Sequence, residues 1–449
     1  FPMSSAPPFP SFPNVVGLMS GRLRSPCPGT LFSGAAFLAT LCFLIGMGLW
    51  GTSAEAGYFY VASIIVGTPL LLAMKPWNAT LPRAISLYAA LYVGFLIMCI
   101  VHVWFRGAST GTIEYAARFL IGLINGLFFY HLVGQDRQAL FRLIVLVAGA
   151  HWAVAVAYTI YAGVDFQQLS IVGGRVGGNT SPISYSMLFI TSAGILALSL
   201  ADRIRPEAKR LPLTGIVIVL GATTLAATIS GSRGTLITMP LLVLLVFALL
   251  WMRIGLKWSL GIAAVGGVLL LASAYAVFGR DPHMWTTLWG YLFGDPDELQ
   301  YYSGTSVRYE LWAAAISLIP EQLLFGHGIS SMPEVLRHPA AGLPEGSRLL
   351  YYGHIHNEYL DLLLKTGLVG FVLFYAPMVV ALWLAIKRLA NPAHHLWALV
   401  VMWVVGAQLI YGVTSVMFAH ASTILQFGVY LGMLVFVVAG DEKQPVATR

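Results

Sequence analysis

The chain has 449 residues, 58% of them hydrophobic and only 10% charged, with a formal net charge of +7 and a pI near 9.3. Apolar runs of about 20 residues, the length that crosses a bilayer as a helix, recur almost end to end, which excludes a soluble protein built of two or three globular domains. The three cysteines are an odd number with no C-x-x-C pair, so neither a disulfide framework nor a zinc ribbon is suggested.

Residues 1–30 read as a flexible tail. Their opening, FPMSSAPPFPSFP, is rich in Pro and Ser and lacks the charge-then-apolar order of a cleavable signal. Nine spans are expected at 31–50, 57–74, 84–104, 115–134, 139–163, 182–201, 211–229, 235–252 and 257–278. A long connection, 279–367, follows. Loops of that length in a compact protein are usually functional. Within it, VRYELWAAAISLIPEQLLFG places Val307, Leu311, Ala314, Ala315 and Leu318 at helical spacing, which predicts a helix along the membrane surface that ends at Pro320. Three more spans are expected at 368–386, 396–414 and 422–439, ahead of a tail at 440–449. The fold class is therefore an all-α polytopic bundle of about 12 spans, since a bilayer admits only elements that satisfy their own backbone polar groups.

An even number of spans puts both termini on one side. That side, with its alternate connections, holds 16 of the 25 Lys and Arg residues, against 9 on the other, and is expected to be cytoplasmic. Acidic residues show the opposite bias, so the high pI reflects topology and not nucleic-acid binding. The long connection then lies on the outer side.

Three arginines stand in Gly-rich or small polar surroundings on this outer face: Arg175 in GGRVGGNTSP, Arg233 in SGSRGT and Arg308 in SGTSVRYELW. Guanidinium presents a rigid fork of donors that matches phosphate oxygens, and together the three would suit a diphosphate. The competing reading is interfacial arginines that snorkel to headgroups or pair with carboxylates. The stretch HIHNEYLDLLLK collects His354, His356, Glu358, Asp361 and Lys365 ahead of the tenth span. Two readings of it compete. One is hydrogen-bonded interfacial histidines with Glu358 capping the next helix; the other is a metal held by His354, His356 and Glu358, for which no convincing fourth ligand is present. Asp361 and Lys365 form an i, i+4 ion pair if a helix starts near Asn357. Trp285, Trp289, Tyr291, Phe293, Tyr301 and Tyr302 suit either an aromatic belt or sugar stacking.

The order of a long span array, SGSRGT, an outer loop with SVRYELWAAAISLIPEQLLFGHG, then HNEYLDLLLKTGLVG and closing spans resembles the O-antigen ligase and O-antigen polymerase superfamily over about residues 175–438. The resemblance implies a C-type glycosyltransferase fold, a donor glycan on undecaprenyl diphosphate and, for a ligase, a sugar hydroxyl of the lipid A-core as acceptor. It also implies His356 as the essential histidine, with Arg233 and Arg308, and less directly Arg175, as diphosphate contacts. His354 and Glu358 would support them, without cofactor or metal. Some members use an Asp in the last outer loop; here TSVMFAHAST offers His420 instead. Polymerases and protein O-oligosaccharyltransferases share these elements. From a different class, an anionic-lipid transporter would also face arginines into a cavity, but it would place ionisable groups at mid-membrane rather than at one face.

Overall fold

The computed structural model describes residues 30–50, 56–74, 81–106, 111–133, 135–164, 182–204, 210–230, 232, 236–278, 304–328, 332–344, 346–417 and 420–439. Among these residues the protein is helical, with no strand. In chain order the helices are α1 Thr30–Gly48, α2 Ala56–Met74, α3 Arg83–Arg106, α4 Gly111–Leu132, α5 Arg137–Val164, α6 Pro182–Asp202, α7 Arg210–Ser230, α8 Met239–Ile254 and α9 Leu256–Phe278. After them come α10 Gly304–Leu318, the short α11 Met332–Leu336, α12 Glu358–Arg388, α13 His395–Gly412 and α14 Ala421–Ala439. A helix occupies each of the twelve expected span positions. Over the described residues seven of them, α3, α5, α6, α7, α12, α13 and α14, are long and apolar enough to cross a membrane.

Nearly every residue of α14 and α6 is buried, so these two form the centre of the bundle. Helices α4 and α14 approach each other closely. A Cβ added at Gly122 would lie 2.1 Å from the Gly428 carbonyl, and one at Gly126 would lie 2.5 Å from the Gly432 oxygen. Two small-xxx-small faces thus let backbone meet backbone, which maximises dispersion contact where no hydrophobic effect drives helices together. Polar side chains tie further helices across the bundle. His151 on α5 bonds Ser192 on α6 (2.9 Å), Ser192 bonds Tyr430 on α14 (2.8 Å), and the Gln426 amide donates to the Leu188 carbonyl (3.2 Å).

The outer loop has a small apolar core of its own. Leu311, Ala314, Ala315 and Leu318 of α10 are buried in a cluster with Met332, Leu336, Leu349, Ile355 and Leu364. The predicted apolar stripe is therefore real, and it packs against later parts of the same loop. The α-helix ends at Leu318, and Ile319–Gln322, which contains Pro320, continues as a 3-10 turn.

Helix α12 is two helices merged across a break at Gly367, whose backbone (φ 63°, ψ −168°) lies in a region essentially confined to glycine. Such a break strands backbone groups, and residues 323–328 take them up. The His327 and Gly328 N–H groups donate to the Leu364 and Lys365 carbonyls (2.8 and 3.0 Å). In return the Leu368 and Val369 N–H groups donate to the Leu323 and Leu324 carbonyls (2.8 and 3.1 Å). Irregular backbone at this depth is tolerated because protein satisfies it.

Candidate active site

The site lies at the end of α12 that precedes the break. Asn357 caps the helix: its Oδ1 accepts from the Tyr359 and Leu360 N–H groups (3.0 and 3.1 Å). Asn357, not Glu358, is thus the helix cap. Glu358 is buried and accepts the Met417 N–H, while Asn357 Nδ2 donates to the Val413 carbonyl (3.2 Å). These two side chains fasten the connection between α13 and α14 onto the start of α12, and His420 arrives with that connection.

The predicted Asp361–Lys365 pair forms, buried, at 2.7 Å. Its position gives it a second task, because Asp361 Oδ1 accepts the Ile355 N–H (3.0 Å). The Ile355 carbonyl in turn accepts from Trp312 Nε1 (3.0 Å), and Trp312 stands one turn after Arg308 on α10. Both backbone groups of Ile355 are therefore held. The next residue, His356, adopts a left-handed backbone (φ 57°), uncommon outside glycine though less so for His.

Three imidazoles meet here. The His354 and His356 ring centroids are 4.1 Å apart, His354 and His420 are 5.6 Å apart, and Tyr352 lies 5.7 Å from His356. His354 Nδ1 accepts the His356 backbone N–H (3.3 Å), which puts the proton of neutral His354 on Nε2. His356 Nδ1 is buried and has no hydrogen-bond partner among the described residues. Burial, followed by the charges of His420, Lys365 and Arg308, holds His354 down at about 3. His356 is also held at about 3, first by burial and then by His354, Arg308 and His420, with Asp361 opposing. Burial lowers His420 as well. The cluster is neutral at physiological pH, and Arg308 of α10 is close enough for its charge to bear on both His354 and His356.

Of the residues expected at the site, His354, His356, Glu358 and Arg308 converge from two separate stretches of sequence. Glu358 acts as a loop fastener rather than as a member of the imidazole cluster. Arg175, Arg233 and the aromatic set from Trp285 to Tyr302 lie outside the described residues. Among the described residues, no three His, Cys, Asp or Glu side chains are grouped as a metal would need. Sequence reasoning did not find the parts played by Trp312 and Asp361. The signal for Trp312 was its i+4 spacing from Arg308; for His420 it was its place in the last outer connection.

An apolar bundle in which seven of the described helices are long and apolar enough to cross a bilayer defines a multi-pass membrane protein, and three of its histidines gather beside the start of α12. Residues 216–375, from α7 through the outer loop and the histidine turn into α12, match the family model Wzy_C, described as O-antigen ligase, and over this part the chain is similar to that family. An uncharacterized protein of Haemophilus influenzae is 24% identical over 198 residues, which is 43% of this chain and 48% of that protein. The chain thus spans about half the length of the curated relative it matches.

Proposed function

We propose that this protein transfers a glycan from undecaprenyl diphosphate to a sugar hydroxyl of the lipid A-core at the periplasmic face of the inner membrane, with both termini cytoplasmic. The observation that carries the proposal is the convergence of Arg308 and His356 in one site. His356 takes the proton from the acceptor hydroxyl as its oxygen attacks the anomeric carbon. The bond from that carbon to the diphosphate breaks, and the electron pair leaves with the diphosphate. Direct displacement inverts the anomeric configuration and needs no glycosyl-enzyme intermediate. Arg308, with Arg233 and Arg175, binds the diphosphate through forked hydrogen bonds and stabilises the charge it gains. Such a site works without a divalent metal, so activity should survive extensive EDTA treatment. His354 and Glu358 support the turn and the connection beside it.

Purified protein is incubated with lipid-linked glycan, with and without lipid A-core, and the products are separated on a gel. A glycan-bearing band that requires the core supports the ligase. Longer lipid-linked chains formed without core identify a polymerase instead, and transport into liposomes with no transfer overturns the enzymatic reading.

A further inference from the structure

The segment that fills the α12 break also carries an exposed apolar tip. Leu323 (44% exposed), Leu324 (59%) and Phe325 (52%) stand in a row and face away from the protein, although their backbone is bonded into α12. In water, three consecutive large apolar side chains are an unfavourable surface. Two observations place them elsewhere. Their carbonyls bond the N–H groups of Leu368 and Val369, and Leu368 opens the outward apolar stripe of α12 that continues through Val372, Val379, Trp383 and Ile386. The tip is therefore continuous with the lipid-facing surface of a helix long and apolar enough to span.

Depth follows from the register of α12 against α3, which run antiparallel. Gly94 faces Leu373, Phe95 packs on Phe374 with centroids 5.4 Å apart, and Met98 lies over Gly370. Residues 367–369 are then level with residues 99–102 of α3. About one turn further on, Trp104 (80% exposed) and Phe105 (82%) mark the height at which aromatic rings sit at the headgroups.

We propose that residues 323–325 form a wedge that inserts into the acyl region of the adjacent leaflet just below this aromatic level. The outer loop is thereby anchored to the bilayer at its tip rather than along α10, and helix α10 with Arg308 is held at a fixed height. The partner is the hydrocarbon of the bilayer itself, and the inference does not depend on the reaction proposed above.

The test uses full-length protein in phospholipid nanodiscs, with Cys27, Cys42 and Cys99 replaced. Bimane is attached at Leu324→Cys and, separately, at Phe325→Cys, with Tyr351→Cys as an exposed control on the same loop. Lipids carrying a nitroxide near the top of the acyl chain should quench the first two sites by about twofold and leave the control bright, because the wedge lies within the upper acyl layer. Aqueous iodide should do the reverse. Quenching of both tip sites by iodide and not by nitroxide lipid places the tip in water and overturns the proposal. Protection from both quenchers, with disulfide-linked dimers of the unlabelled cysteine variants, assigns the tip to a second copy and overturns it equally.

Discussion

At the residue scale the proposed chemistry turns on His356. Held at about 3 in the free protein by burial, His354 and Arg308, it stays neutral far below the usual imidazole value of about 6.5. A base so weak is poorly matched to an alcohol proton. In the proposed complex the diphosphate would cancel the charge of Arg308, and its own negative charge would favour imidazolium, so both effects would raise the His356 pKa. The acidic limb of kcat/KM reports the free enzyme and that of kcat the complex, so the kcat limb should lie at the higher pH. Rate profiles from pH 4 to 8 check this: kcat/KM should stay flat across the range while kcat falls towards its acidic end, and coincident limbs near the free-imidazole value would contradict it. His356→Ala should cost roughly 100- to 10,000-fold in kcat and abolish the limb, with donor binding largely intact. For Arg308→Lys the charge stays but the fork is lost, so donor affinity should weaken by about tenfold; isothermal titration with the lipid-linked donor decides it.

The element scale concerns what holds Arg308 and His356 in register. The Trp312 N–H joins their two elements through the Ile355 carbonyl. Trp312→Phe keeps the ring and leaves that carbonyl unsatisfied, a loss of about 1–3 kcal/mol in stability. Because a shift of about 1 Å in a reacting group can cost on the order of 100-fold, kcat should fall much further than that destabilisation alone accounts for, with donor KM little changed. Wild-type kcat in Trp312→Phe would remove the indole from any positioning role. At the break, a Cβ on Gly367 would lie 2.4 Å from the Leu324 carbonyl, and an L residue would be strained there in any case. Gly367→Ala should therefore lower the melting temperature in detergent and reduce activity together, since the segment it displaces follows α10.

How far these elements were legible depends on what each feature rests on. The helix starting near Asn357 and the Asp361–Lys365 pair follow from local spacing, and local spacing is written in sequence. The α10 stripe was equally legible as a period, but the period does not say what covers the stripe: Ile355, Leu349 and Leu364 do, and they come from later in the chain. Gly367 reads in sequence as one small residue before an apolar run. Its left-handed backbone exists because residues 323–328 cross there, which is a tertiary fact. Glu358 was visible as a charge, whereas its partner, the Met417 amide, is invisible to any side-chain pattern.

Across the whole molecule, the distribution of Lys and Arg predicts which face is which. Tyr351 is exposed before α12, and Ala393 is exposed in the turn that follows Arg388 at its other end. In a protein lacking its native cysteines, Tyr351→Cys should react with an impermeant maleimide added to intact spheroplasts, and Ala393→Cys should react only after the membrane is opened. The reverse pattern would turn the site towards the cytoplasm, where the proposed acceptor is not available.

The glycine-to-glycine contact of α4 with α14 has a consequence for biogenesis. Of the described helices, α14 is the last to leave the ribosome, yet it takes the central slot, with Gly428 and Gly432 against a face made some 300 residues earlier. Until it arrives, the face of α4 around Gly122 lacks its partner, Ser192 lacks Tyr430, and the turn before α14 has not delivered His420 to the other two imidazoles. Insertion of α14 is thus the step that joins these faces and brings His420 to the other two imidazoles, so a chain stalled before it would leave the face of α4 open and be a ready substrate for membrane quality control.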